Sequence, residues 1–299
     1  MSDNSERDES ERGAASASQT LDRAIHLVRL ISGARGAGLA LSDLVRLTAL
    51  TKPTTRRLLI SLIDNGMVEQ DLESRRYHLG PEAYAFGVIA AERFGIHRLA
   101  ADSLVRLATL SGDAALLSVQ RGTEWVCLSR EEGSFPLRSH VLQPGDRHPL
   151  GAGAAGLALI AALSDEEIAE VLAVNAERLA ANYPGHPLDA LRQQIAETKR
   201  NGYALNAGYV ITGSWGIAVA LRDARSHTRA ALTIAGVESR FTGGRIKEIA
   251  ALLTNEKTLL EQLLGGASKP SDSEPQLGAV HHQRSSGRNP VHQGDDSYV

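Results

Sequence analysis

From Thr20 onward, apolar residues recur at helical spacing: Leu21, Ile25, Val28 and Ile31, thickened by Ala24, Leu27 and Leu30. The stripe predicts a scaffold helix that ends in the glycine-rich stretch 33–38. A short helix follows at Ser42-Asp43-Leu44-Val45-Arg46, with Ser42 as its N-cap. Leu50-Thr51-Lys52 reads as a turn, and residues 53–66 as a second helix. Proline is tolerated in the first turn of that helix, and Asn65-Gly66 stops it. At 100° per residue, Thr55, Leu58, Leu59 and Leu62 share its buried face, while Arg57 points the opposite way. Thr54 and Arg56 lie on the flanks and Lys52 at the tip. Residues 67–70 and 76–79 alternate around 71–75, which predicts a β-hairpin whose tip presents Arg75 and Arg76.

The order helix, turn, basic-tipped helix, hairpin over residues 19–80 is that of a winged helix-turn-helix. Small polar and cationic groups at the start of the second helix suit a DNA major groove, where arginine forks onto guanine or grips phosphate. Lys52, Thr54, Thr55, Arg56, Arg57, Arg75 and Arg76 are therefore the candidate contacts to a double-stranded operator. The alternative is a surface helix pair with a solvated charge run.

Residues 81–98 predict a linker helix, with Tyr84, Val88 and Ala91 along a possible dimer seam. From 99 to 266 the pattern changes. A helix at 100–111 precedes strands at 113–120 and 124–130, joined at Arg121-Gly122, and a third strand at 135–142. Helices at 151–163, 165–175 and 188–200 lead to strands at 203–212, 215–222 and 229–237, then a last helix at 243–264. Hairpin-linked strands interleaved with helices indicate α+β, an antiparallel sheet covered by helices. Residues 1–18 are polar and poor in large apolar groups, and 267–299 are rich in Ser, Gly, Pro and His without periodicity. Both are expected to be disordered, with His281-His282 a chance pair rather than metal ligands.

A net charge of −3 over 299 residues argues against wholesale coating of nucleic acid. Residues 20–80 nonetheless carry nine Lys or Arg against six Asp or Glu, and a site-specific reader needs only a local basic face. A single cysteine, Cys127, excludes an internal disulfide and fits a reducing cytoplasm. No apolar run reaches about 18 residues and no charged-then-apolar leader opens the chain, so neither membrane nor export is expected.

Gly151-Ala-Gly-Ala-Ala-Gly156 has the form G-x-G-x-x-G, but the preceding 143–149 reads as a turn-rich loop, against a dinucleotide site. The remaining readings are a small-residue helix packed on the sheet, or a bare helix N-terminus holding a carboxylate, with Arg147 and His148 just upstream. Trp215 either walls an apolar pocket or fills the core. Alternation puts Cys127 on one face with Trp125 and Ser129, a buried or pocket-lining thiol with no base legible nearby. No paired carboxylates, metal cluster or activated nucleophile stands out. The competing reading, an enzyme acting on a small organic acid through the α+β domain, thus has no sequence-legible catalytic residue, cofactor or metal site.

Several segments together resemble the IclR family of bacterial transcriptional regulators. They are Thr20-Leu-Asp-Arg-Ala, Leu41-Ser-Asp-Leu-Val, Leu50-Thr-Lys-Pro-Thr-Thr-Arg-Arg-Leu-Leu59, Asn65-Gly-Met-Val and Tyr77-His-Leu-Gly80. Asn201-Gly-Tyr-Ala204, Ile217-Ala-Val-Ala-Leu-Arg-Asp223 and Ala230-Ala-Leu-Thr-Ile-Ala235 continue the likeness, which covers roughly residues 20–265. The resemblance implies a winged helix joined to a GAF-like effector domain, a dimer or dimer of dimers, and repression more often than activation. It also implies a small-molecule effector, often an organic acid, bound near the helix that starts at 151. Cys127, His148, Gly151, Ala152, Gly153, Trp215 and Thr233 are the candidate effector contacts. The chain departs from the family at 205–209, which lack an acid, at Trp215, and at Leu157, where a lysine is common.

Overall fold

The computed structural model describes residues 3–93, 95–137, 142–185, 187–222 and 229–266. The tail 267–299, with His281-His282, lies outside the described residues.

Helix α1 spans Asp3–Ala34, α2 Leu41–Thr48 and α3 Lys52–Asp64. Strands β1 (Val68–Gln70) and β2 (Tyr77–Leu79) pair antiparallel, and Leu39 bridges to Tyr77. Leu27, Ile31, Leu44, Leu58, Leu59, Val68 and Tyr77 form the core of this small domain, so one stripe from each element is buried together. Helix α1 begins well ahead of the apolar stripe, inside the stretch 1–18 expected to be disordered. Acids four residues ahead of Arg7 and Arg12, with Ala14, Ala15 and Ala17, give that stretch helix-forming sequence. The cap of α2 also differs: Ala40 occupies the N-cap, and Asp43 rather than Ser42 closes it by accepting the Ala40 N–H at 3.3 Å.

The linker helix expected at 81–98 ends earlier, as α4 at Pro81–Arg93, and the helix expected at 100–111 begins earlier, as α5 at Gly95–Ser111. Beyond them lie β3 (Ala114–Arg121), β4 (Glu124–Glu131), β5 (Arg147–Pro149), α6 (Gly153–Ala161), α7 (Asp165–Asn182), α8 (Leu188–Asn201), β6 (Ala204–Ala207), β7 (Ser214–Arg222), β8 (Arg229–Val237) and α9 (Arg245–Gly266). The six strands form one antiparallel sheet in the order β5-β4-β3-β8-β7-β6. Helices α6, α7 and α8 cover one face, around Leu157, Leu159, Ile160, Leu172 and Leu191. Helices α5 and α9 cover the other, around Leu104, Leu107, Ile249 and Leu253.

Three boundaries moved for physical reasons. The strand expected at 135–142 does not form over 135–137, where Pro136 lacks an N–H, and 138–141 fall outside the described residues. The strand that pairs with β4 is instead β5, with His148 opposite Trp125. Helix α7 runs past the stop expected at 175 because Asn175 faces inward, donating to the Thr123 carbonyl at 2.8 Å. Strand β6 ends at Ala207, where Gly208 turns at φ +81° and Asn206 Oδ1 accepts the Tyr209 N–H.

Candidate functional site

Thr51 caps α3, accepting the Thr54 N–H and pairing with the Thr54 hydroxyl at 2.9 Å, which sets where the helix begins. Lys52, Arg56 and Arg57 are exposed, and with Pro53 and Ile60 they form one outward face. Among the described residues none of these three cations makes an ion pair, so their charge is open to a polyanion. Ile60, 48% exposed, lies beside them on this face.

Thr55 has to be removed from the candidate contacts. It is fully buried, and its hydroxyl donates to the Thr51 carbonyl at 3.1 Å, so it braces α3 from inside. Arg75 is exposed in the left-handed region at φ +57°. Its neighbour Arg76 is exposed but tethered, donating to the Gly38 carbonyl at 3.1 Å, so it ties the hairpin to the loop after α1. Asp71 accepts both the Ser74 N–H (2.7 Å) and hydroxyl (2.6 Å), bonds that lower its carboxyl's pKa and fix the turn.

In the second domain, a cavity opens between the start of α6 and the sheet. His148, Ala152, Gly153, Trp215 and Thr233 line it, as expected, together with Trp125, Arg130, Asn206, Val210, Ile211 and Ser214, which sequence reasoning had not marked. Cys127 and Gly151 do not line it. The Cys127 side chain is fully buried in the core, and its thiol is pushed up to about 12, chiefly by burial and then by the charge of Asp146. Gly151, at φ +99°, donates its N–H to the Gly156 carbonyl, and a Cβ there would lie 2.9 Å from Leu191. It is a packing residue. A strand does precede this glycine run, but β5 is a three-residue antiparallel edge, not the parallel strand of a dinucleotide fold.

The glycines serve Trp125 instead. A Cβ on Gly156 would lie 2.6 Å from the indole Nε1, so only glycine admits the ring there. Trp125 Nε1 donates to the Ala152 carbonyl at 3.0 Å, which holds the first turn of α6 against β4. His148 stacks on Trp125 at 4.9 Å between centroids, and its Nδ1 lies 2.6 Å from the Tyr183 hydroxyl. The N-cap Ala152 offers no side-chain oxygen, so the first N–H groups of α6 face the cavity uncapped. Thr233, 3% exposed, lines the same cavity with a hydroxyl that has no hydrogen-bond partner among the described residues. Gly216 brings the two together: a Cβ on it would sit 3.4 Å from Ala154 Cβ and 3.8 Å from Thr233 Cγ2.

Burial holds His148 below its usual pKa, helped by Arg178 and opposed by Asp146 and Glu124. Among the described residues, its buried Nε2 has no partner. The unfolded chain therefore takes up this proton at higher pH than the native one. Stability from this residue is full above pH about 6.5 and declines as pH falls from there toward the lower native value. Urea denaturation of wild type and His148→Phe between pH 7.5 and 5 checks this: the variant should lose less stability over that interval. Equal losses would remove the residue from the account.

An ion pair joins the two domains: Arg35, just after α1, reaches Asp146 at 2.5 Å. Asp146 also accepts the Gln143 N–H through Oδ2 (2.7 Å) and the Cys127 N–H through its carbonyl (3.0 Å). Two residues later in the chain is His148, in the cavity wall.

A winged helix-turn-helix carried on an antiparallel-sheet domain with a cavity at the start of α6 defines a DNA-binding regulator. The chain matches the IclR helix-turn-helix domain over residues 20–72 and the bacterial transcriptional regulator IclR C-terminal domain over residues 88–257. It belongs to the IclR family of transcriptional regulators. It is 27% identical over 233 residues to the HTH-type transcriptional regulator BhcR of Paracoccus denitrificans, spanning 78% of this chain and 82% of that one. It is also 27% identical to the HTH-type transcriptional repressor AllR of Klebsiella pneumoniae, over 85% of this chain and 93% of the relative. A crystal structure of a putative IclR regulator from Silicibacter sp. superposes with a TM-score of 0.71 at 27% identity, covering 84% of this chain and 98% of the other. An IclR homologue of Microbacterium hydrocarbonoxydans, solved with 4-hydroxybenzoate, has the same fold, with a TM-score of 0.68 at 22% identity and coverage of 82% and 99%. Among the described residues, no helix is long and apolar enough to cross a membrane.

Proposed function

We propose that this regulator represses its target genes in the cytoplasm by operator binding through α3 and the wing, and that a small organic acid in the α6 cavity relieves that binding. The observation that carries the effector site is the uncapped N-terminus of α6 opening onto a cavity beside the unpartnered hydroxyl of Thr233. Backbone N–H groups and a helix dipole there favour a carboxylate. The name of the AllR relative supports repression as the sign. No role for this chain as a catalyst is proposed.

Self-association is supported by α4, whose Tyr84 (78% exposed), Phe86 (57%) and Ile89 (64%) are large apolar groups without cover. A dimer formed there sets the distance between two reader helices, and thereby the spacing of operator half-sites.

The route we assign between cavity and DNA reader is the Arg35–Asp146 pair. Asp146 braces the loop that leads to His148, so a ligand that moves the cavity wall alters a contact to the end of α1. Coupling of this kind is worth about 1–3 kcal/mol, or about 5–150-fold in operator affinity. To test it, acids that raise the melting temperature of wild type but not of Thr233→Val are carried into operator titrations. In Arg35→Ala, such an acid still binds, but its effect on operator affinity falls to within about twofold. An undiminished effect in Arg35→Ala removes the pair from the route. If no acid depends on Thr233, the effector site itself fails.

A further inference from the structure

The outward face of α3 carries one side chain that neither charge nor polarity explains. At about 100° per residue, Pro53, Arg56, Arg57 and Ile60 stand at i, i+3, i+4 and i+7 and form one stripe. Ile60 lies within it, with Arg56 about 40° to one side and Arg57 about 60° to the other. Leu58, Leu59, Leu62 and Ile63 of the same helix serve the core of the small domain, whereas Ile60 stands outside that core and is 48% exposed. A single exposed apolar side chain is ordinary on a protein surface. Its place is not ordinary here, because it is flanked by two cations whose charge is open to a polyanion.

Positions i, i+3, i+4 and i+7 are those with which a helix laid in the major groove reaches base edges. Ile60 follows Arg57 by about 4.5 Å along the axis, a distance of about one to two base steps. The floor of that groove is polar: guanine offers N7 and O6, adenine N7 and an amino group, cytosine an amino group, and thymine O4. The thymine C5 methyl is the one alkyl group there. Isoleucine has neither donor nor acceptor in its side chain. Against the other bases it would take water from a polar edge and return no hydrogen bond. Against the thymine methyl it buries apolar surface on both sides.

We propose that Ile60 is a specificity-determining residue of the DNA reader, its side chain meeting a thymine methyl in the major groove beside the base pair that Arg57 contacts. The proposal rests on the reading of α3 as the helix that enters the groove, and adds a base that this chain selects.

Deoxyuridine in place of thymidine removes only the methyl and so tests the contact from the DNA side. Duplexes that the full-length protein selects from a randomised pool are resynthesised with each thymine replaced in turn, then titrated by fluorescence anisotropy. At one thymine or more, wild type is expected to lose about threefold or more in affinity, the scale of one buried methyl. Ile60→Ser is expected to be indifferent to the same replacement, within about 1.5-fold, and to keep the salt slope of wild type, since no phosphate contact is lost. Selection with Ile60→Ser should relax the thymine preference at that position and leave the rest of the consensus. The proposal is overturned if no deoxyuridine weakens wild type, or if the penalty at every sensitive position persists undiminished in Ile60→Ser. In that case, sensitivity of the same duplexes to Arg57→Ala leaves α3 standing as the reader, and insensitivity removes both. A pool from which nothing is enriched likewise overturns the proposal together with the reading of α3. Each comparison of thymine with uracil is made within one protein, so the result does not depend on how stable the variant is.

Discussion

Replacing Trp125 by alanine is expected to lower the free energy of unfolding by about 3–5 kcal/mol, the range for removing a large aromatic from a core. The residue is 1% exposed, stacks on His148, and its indole N–H holds the Ala152 carbonyl at the mouth of α6. Truncation leaves a cavity and also a carbonyl without its donor, a cost of about 1–3 kcal/mol within that total. Because the glycine run 151–156 is shaped around the indole, little can collapse into the space. Trp125→Phe retains a ring against His148 and loses the hydrogen bond, so it should cost roughly 1–3 kcal/mol. Urea denaturation of the two variants separates these contributions. A loss below about 1 kcal/mol in the alanine variant would mean that α6 is held to the sheet by other contacts.

The second large effect concerns DNA. Arg57→Ala should weaken operator binding by about 1–3 kcal/mol, roughly 5–150-fold, if its guanidinium forks onto a base edge. Loss of specificity distinguishes this from a phosphate contact, which would weaken all sequences evenly and lower the salt slope by about one. Arg57 is exposed, lies opposite the buried Leu58–Leu59 side of α3 and makes no ion pair among the described residues, so its removal should leave stability unchanged. Thr55→Val gives the contrasting pattern. It removes a buried bond to the Thr51 carbonyl and affects folding before it affects DNA. Operator titration and thermal melting of both variants check the pair, and equal affinity of Arg57→Ala and wild type would remove Arg57 from the reading face.

The DNA-reading domain was legible because its information is local. Apolar spacing, the proline in the first turn of α3, the Asn-Gly stop and the hairpin alternation each act within a few residues. What failed there was one side chain's role: Thr55 sits on the face its own periodicity assigns to the core, and polarity alone had placed it among the contacts. Arg76 likewise looked free at the hairpin tip until the loop at Gly38 folded under it. The cavity was only half legible. Its floor at 152–153 was marked by small residues, and Trp215 and Thr233 by the strands that carry them. Trp125 and Arg130 gave no signal, since a strand sequence does not reveal which partner element its side chains meet. Strand β5 and the length of α7 were hidden for the same reason. Their hydrogen bonds run to residues far along the chain, to Trp125 and Val126 in one case and Thr123 in the other. The end expected at 175 falls on Asn175, which is an internal tie within α7.

The central claim is that α3 reads a specific DNA sequence, and fluorescence anisotropy on DNA from the protein's own promoter region tests it most directly. Purified full-length protein is titrated at two salt concentrations, against scrambled competitor, with Arg57→Ala alongside. The account predicts binding that survives the competitor, weakens with salt and falls in the variant. Equal, weak binding to operator and scrambled DNA, repeated with genome-wide selected fragments and unchanged by Arg57→Ala, would contradict it.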